Sequence, residues 1–175
     1  DILTELGCHV ETLNAQPDGA FPGRPSEPTA QNCGSLATLV AEGDADLGIA
    51  HDGDADRMVA VAADGTYLSG DVLLAVFARA AANHGERVAV PVDTGLAVAD
   101  YLAGNDIDVE YTPVGDVHGA AAASDAGVAC GGEPSGAWIW PEATLCPDGP
   151  LAAARVAALD ADRSLTDRIA DVPTY

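Results

Sequence analysis

The sequence predicts an α/β protein built as two consecutive α/β units with mixed, mostly parallel sheets. Three observations carry this. Short β-branched runs alternate with helix-like stretches, the pattern left by strand–helix–strand crossovers. The alternation restarts after Gly85, which divides the chain into residues 1–85 and 86–175. Hydrophobic residues make up 48% of the 175, enough for a buried core and too many for a disordered acidic chain.

Ile2–Leu6 reads as the end of a helix stopped at Gly7, followed by a strand around His9–Leu13. A βαβ unit should open on a strand, so the first unit is read as N-terminally incomplete. Residues 14–34 hold Pro17, Pro22, Pro25 and Pro28 among several glycines and predict a long irregular loop, a kind that tends to be functional or disordered. Ser35–Glu42 reads as a short helix, and Asp46–Ala50 and Met58–Ala62 as strands. Asp64-Gly65 reads as a hairpin turn into Tyr67-Leu68. Ser69 or Gly70 caps a helix that runs to Asn83. In the second unit, strands at Val88–Val92 and Ile107–Thr112 precede helices at Leu96–Leu102 and Asp116–Ala126. Val128–Cys130 and Ala137–Trp140 are strands around a glycine-rich turn, and two last helices cover Leu151–Leu159 and Leu165–Ala170.

Charge narrows the function. There are 28 acidic residues against seven basic ones, all arginine, for a net charge of −21. A nucleic-acid surface needs a basic face to release counterions, so nucleic acid is excluded as a partner, and anionic lipid with it. At about 1 M salt the Debye length is roughly 3 Å, so a folded chain this acidic suits the cytoplasm of a halophile. No apolar run is long enough for a membrane span, and no signal peptide is visible. The start at Asp1 rather than Met points to a fragment. Cys8, Cys33, Cys130 and Cys146 show no metal-ligand spacing and read as dispersed buried thiols of a reducing compartment.

Two loops carry chemistry. In Asp52-Gly53-Asp54-Ala55-Asp56-Arg57, alternating carboxylates between apolar strands can face one centre. Three carboxylates so close repel one another without a cation, and hard divalent ions take oxygen ligands. Asp52, Asp54 and Asp56 are therefore candidate Mg²⁺ ligands, and Arg57 a bidentate phosphoryl holder. A solvated acidic turn competes with this reading. An EF-hand does not, because its sixth and twelfth positions would be Arg57 and Ala63 instead of Gly and Glu. In Gly131-Gly132-Glu133-Pro134-Ser135-Gly136, a carboxylate and a hydroxyl on one turn can bond vicinal sugar hydroxyls, although taken alone these residues are better accounted for by a plain hairpin turn. Trp138 and Trp140 share a face, either as core or as a platform for a sugar ring.

With both loops in view the chain resembles the α-D-phosphohexomutases, the phosphoglucomutase/phosphomannomutase superfamily, and archaeal members in particular. The resemblance rests on Asp52–Arg57, on Gly132–Gly136, and on Leu13–Arg24, Gly48–Arg57, Ser69–Asp71 and Thr112–Asp116, in matching order along essentially the whole chain. It implies that residues 1–85 are the metal-binding second domain and 86–175 the sugar-binding third. It further implies Mg²⁺ on Asp52, Asp54 and Asp56, a catalytic Arg57 beside the transferred phosphoryl group, and a substrate loop of Gly132, Glu133, Ser135 and Gly136. The implied reaction interconverts hexose 1-phosphate and hexose 6-phosphate, of glucose or mannose, through a phosphoserine and a bisphosphate. Phosphoglucosamine mutase and a non-catalytic sugar-phosphate-binding module are the alternatives.

The chain also departs from the family. The phosphoserine loop of the first domain and the phosphate-binding loop of the fourth do not occur in it, so those domains are its implied partners and the fragment alone is expected to be inactive. Ala137 stands where many members have His, and Val117 where many have Lys or Arg. The general acid/base is thus unassigned, with His118 at best a displaced candidate.

Overall fold

A computed structural model describes residues 2–174. Helix α1 spans Ile2–Glu5 and α2 spans Gly34–Glu42; between them the chain is irregular. Strands β1 (Leu47–His51) and β2 (Met58–Ala62) form an antiparallel pair, with Leu47 opposite Ala62 and His51 opposite Met58. The remaining elements are α3 (Gly70–Ala81), β3 (Arg87–Pro91), α4 (Leu96–Ala103), β4 (Asp108–Thr112), α5 (Asp116–Ala123), β5 (Val128–Gly132), β6 (Trp138–Ile139), α6 (Gly149–Asp162) and α7 (Leu165–Ile169). The larger sheet has the order β4-β3-β5-β6; β3 is parallel to β4 and β5, and β6 returns antiparallel.

All of β2 is buried, because it packs on both faces. Met58, Ala60 and Ala62 join the main core while Val59 faces Cys33 and Ala50, the period-two division a strand imposes. Helix α3 links the two sheets. The Ser69 hydroxyl accepts the Val72 N–H at its start, and Leu73, Leu74, Val76 and Phe77 are all buried. Phe77 meets Trp138 and Trp140 edge-on, with centroids 5.1 and 5.2 Å away. One core therefore holds Met58 of β2 together with Val88 of β3 and Trp138 of β6.

Several boundaries shift from the sequence reading, for local reasons. Helix α3 stops at Ala81 because the Glu86 carboxylate takes the Asn83 N–H at 2.7 Å, ahead of the positive φ of Gly85. Helix α5 stops at Ala123, where the Ser124 hydroxyl turns back to the Ala121 carbonyl at 2.6 Å. Helix α6 starts at Gly149, since Asp148 caps it, and runs on to Asp162. The strand expected at Ala137–Trp140 shortens to β6, with Ala137 and Trp140 each making a single bridge, to Arg57 and Thr144.

The strand expected at His9–Leu13 does not form. Residues 8–13 are all exposed and no described strand lies beside them, so their backbone groups have no ladder to join. The thiols also divide: Cys33 and Cys130 are buried, but Cys8 and Cys146 are exposed. Burial pushes the Cys130 thiol up to about 12, which makes it inert. Among the described residues no helix is long and apolar enough to cross a membrane.

Candidate functional site

The acidic loop connects β1 to β2, so its two ends are fixed by the β1–β2 ladder. The Asp52 side chain is only 3% exposed and takes both the Arg57 backbone N–H, at 3.2 Å, and Arg57 Nε–H, at 2.8 Å. These bonds fold the loop over itself and force Ala55 to a φ of +62°, a left-handed conformation that carries strain in a non-glycine residue. Ligand oxygens of Asp52, Asp54 and Asp56 then lie within 4.8 Å of one another.

The electrostatics of this cluster are uneven. Burial disfavours the Asp52 anion, but the Arg57 backbone N–H and guanidinium outweigh it and hold the carboxyl below its ordinary value. Burial, with the Asp52 charge beside it, pushes Asp56 up. Asp56 Oδ1 is buried without a hydrogen-bond partner. A buried oxygen with no hydrogen bond, 3.7 Å from Arg57 Nε and beside two other carboxylates, is part of a donor set that suits Mg²⁺, whose octahedral shell at about 2.1 Å accepts carboxylates and keeps waters. Asp52, Asp54 and Asp56 would hold it. When bound, the ion supplies positive charge for phosphoryl oxygens.

The glycine-rich turn reaches the same place through β2 and β6. Met58 N–H donates to the Gly136 carbonyl at 2.9 Å, Trp138 Nε1–H donates to the Met58 carbonyl at 2.9 Å, and Arg57 bridges Ala137. Both loops thereby border one open cleft of about 410 Å³, lined by Asp52, Asp54, Asp56, Arg57, Asp116, Glu133, Ser135 and Ala137. Gly132 and Gly136 shape this wall rather than line it: a Cβ on Gly132 would lie 2.8 Å from the Trp138 ring, and Gly136 has a φ of +100°. Glu133 is fixed by the Gly115 N–H at 2.7 Å and accepts the Ser135 hydroxyl at 3.3 Å. The Thr112–Asp116 segment and the glycine-rich turn are thus one unit.

Sequence reasoning missed three contributors. Asp116, at the start of α5, adds a carboxylate to the cleft; the Thr112–Asp116 motif was the available signal. Gly70 lies under the glycine-rich turn, where a Cβ would sit 1.8 Å from the Pro134 carbonyl oxygen, and Ser69–Asp71 was its signal. Glu27 grips the Arg57 fork at 2.6 and 2.9 Å, and nothing local in a proline-rich loop announces that. Other residues do not take a place in the cleft. Trp138 and Trp140 are core, 1% and 2% exposed, and offer no platform to a sugar. Arg24 is spent on the carbonyls of Pro25, Ser26 and His51, anchoring the 14–34 loop. His118 and Val117 are exposed on the first turn of α5 and do not line the cleft.

Comparison with known proteins gives the chain's family. Residues 1–65 match the model of phosphoglucomutase/phosphomannomutase α/β/α domain II, and residues 69–175 that of α/β/α domain III. Relatives called probable phosphoglucosamine mutase are 49% identical over 175 residues in Methanosarcina acetivorans and 47% in Methanothermobacter thermautotrophicus. The alignments cover 99% of this chain and 40% and 38% of those proteins. The fold recurs in a phosphoglucomutase/phosphomannomutase family protein of Burkholderia thailandensis, with a TM-score of 0.88 at 24% identity over 98% of this chain and 38% of that one. The chain belongs to the phosphoglucomutase/phosphomannomutase family, of which it carries domains II and III.

Proposed function

We propose that these 175 residues are the metal- and sugar-binding middle of a cytoplasmic phosphohexomutase. The enzyme moves a phosphoryl group between O1 and O6 of a hexose by way of a phosphoserine that lies outside them. The observation that carries this is the convergence of two loops on one cleft: three carboxylates and Arg57 on one side, Glu133 and Ser135 on the other. Such a site works by positioning and charge neutralisation, which is what phosphoryl transfer asks of a protein. Mg²⁺ would be held by Asp52, Asp54 and Asp56. Glu133 and Ser135 present an acceptor and a donor that bond sugar hydroxyls in either orientation of the sugar phosphate.

For the substrate, hexosamine phosphate is favoured over the glucose and mannose phosphates expected from the sequence. The relatives at 47–49% identity carry the phosphoglucosamine name. The sugar side of the cleft also offers two carboxylates, Asp116 and Glu133, and among the described residues the one cation lining the cleft, Arg57, lies on the opposite side. Two anions suit a 2-ammonium group better than a 2-hydroxyl.

The test is turnover by the complete protein on glucosamine, glucose and mannose phosphates, side by side with the 175-residue chain. The complete protein is expected to turn over the glucosamine substrate with the highest kcat/KM and the short chain none of them. Equal or better turnover of glucose 1-phosphate overturns the substrate assignment, and turnover by the short chain overturns the division of labour.

A further inference from the structure

Among the described residues Arg57 is the one cation that lines the cleft, and its fork is already filled. Nη1 donates to Glu27 Oε1 at 2.6 Å and Nη2 to Glu27 Oε2 at 2.9 Å, while Nε donates to Asp52 at 2.8 Å. The two carboxylates differ in kind. Asp52 is 3% exposed and belongs to the loop; Glu27 is 48% exposed and comes from 30 residues earlier. The Glu27 backbone is nonetheless well anchored. Its carbonyl accepts Asn32 Nδ2 at 2.8 Å, the next carbonyl, Pro28, accepts the Tyr67 hydroxyl at 2.9 Å, and the preceding one, Ser26, accepts Arg24 at 2.9 Å. The loop thus presents a solvent-accessible carboxylate to the guanidinium on a fixed base.

A carboxylate and a phosphoryl group offer a guanidinium the same pair of oxygens at similar spacing, so they compete for one fork. We propose that Glu27 is a resident stand-in for phosphate on Arg57: it occupies the Nη donors that a phosphoryl group takes when it binds, and it yields them on binding. Asp52 keeps Nε throughout and holds the guanidinium in place during the exchange. Glu27 acts through Arg57 and is a positioning residue: it keeps Arg57 oriented, lowers affinity for every phosphoryl ligand alike, and helps the fork release one phosphate before it takes the next. This rests on Arg57 being the phosphate-holding residue.

The test is binding of inorganic phosphate to the 175-residue chain at saturating Mg²⁺, by calorimetry. Glu27→Gln removes the competing charge and is expected to bind phosphate about ten times more tightly than the unaltered chain. Glu27→Asp, too short to span the fork, should fall between them. The gain should vanish when Arg57→Gln is added. Equal or weaker binding by Glu27→Gln, no measurable binding by it, or a gain that persists without Arg57 overturns the stand-in. Should Glu27→Gln fail to fold, Glu27→Asp decides, and unchanged affinity there overturns it too. Equal affinity of the unaltered and Arg57→Gln chains would instead overturn the phosphate role of Arg57 itself. In the complete enzyme Glu27→Gln should lower KM for hexose phosphate without raising kcat, because it strengthens ground-state and transition-state binding together. A purely structural role would leave KM unchanged or raise it.

Discussion

Asp54→Asn is expected to lower Mg²⁺ affinity by about 10- to 100-fold, the scale of losing one member of a metal's ligand environment. In the complete enzyme turnover should fall by about 10²-fold or more, as for loss of one electrostatic stabiliser of developing charge. Asp54 is the informative position because it is exposed and, among the described residues, its carboxylate holds no side-chain hydrogen bond that would confuse the outcome. Its charge is one of those that push Asp56 up, and removing it should leave the metal-free chain at least as stable as before. Asp52→Asn would be harder to interpret, since it also unseats Arg57. Calorimetric titration with Mg²⁺, paired with a thermal melt without it, separates the two effects. Unchanged Mg²⁺ affinity in Asp54→Asn would remove the metal assignment.

The same cluster sets a pH dependence with opposite signs from its two inner members. Asp56, pushed up by burial and by Asp52, binds its proton more readily folded than unfolded. Its contribution to metal-free stability therefore grows as pH falls through its raised pKa, and is absent above it. Asp52, held down by Arg57 against its own burial, contributes stability above its unfolded value near 3.8 and loses it as pH falls through the lower folded pKa. The metal-free chain should gain stability on mild acidification and lose it only at more acid pH. Mg²⁺ affinity should fall on acidification, with Asp56 taking its proton before Asp52. A melting temperature that drops steadily from neutral pH would contradict this ordering.

Local chemistry was legible in the sequence; long-range neighbours were not. The Asp52, Asp54, Asp56 spacing announces itself because all three lie in one turn between apolar runs. The reach of Glu27 to Arg57 spans 30 residues and depends on where a proline-rich loop is pinned. The Trp138 bond to Met58 spans 80. It arises where the start of β2 meets the turn before β6, an encounter that no pattern in either segment encodes. His9–Leu13 shows the converse: apolar alternation proposes a strand, but without a neighbouring ladder the proposal has nothing to pair with.

The acidity of the chain also takes on a local meaning. Each of the seven arginines donates to a carboxylate, a carbonyl or a side-chain amide, and Arg155 lies over the Trp140 ring at 4.5 Å as well. None is left over to draw a dianionic substrate. Arg57 comes nearest, but only by exchanging Glu27 for phosphate. A cation held by the carboxylate cluster would supply that attraction for phosphoryl oxygens.

Trp138→Ala is expected to cost about 3–5 kcal/mol of stability, the range for removing a buried aromatic. Trp138 is 1% exposed, packs edge-on against Phe77, and is the residue through which the two loops share a wall. Its loss opens a cavity beneath Gly132 and strands the Met58 carbonyl, which accepts Nε1–H at 2.9 Å. Trp138→Phe separates these terms. It keeps most of the packing and removes only the donor, so it should cost about 1–3 kcal/mol, the penalty of an unsatisfied buried carbonyl with a small void. Denaturant titration measures both. Because Met58 and Gly136 are joined by the next hydrogen bond along, the same variants should also weaken Mg²⁺ binding at a cluster that Trp138 never touches. Coupling of that kind distinguishes a shared wall from two independent loops. A Trp138→Phe chain that loses stability while keeping full Mg²⁺ affinity would show that the acidic loop is held by the β1–β2 ladder alone.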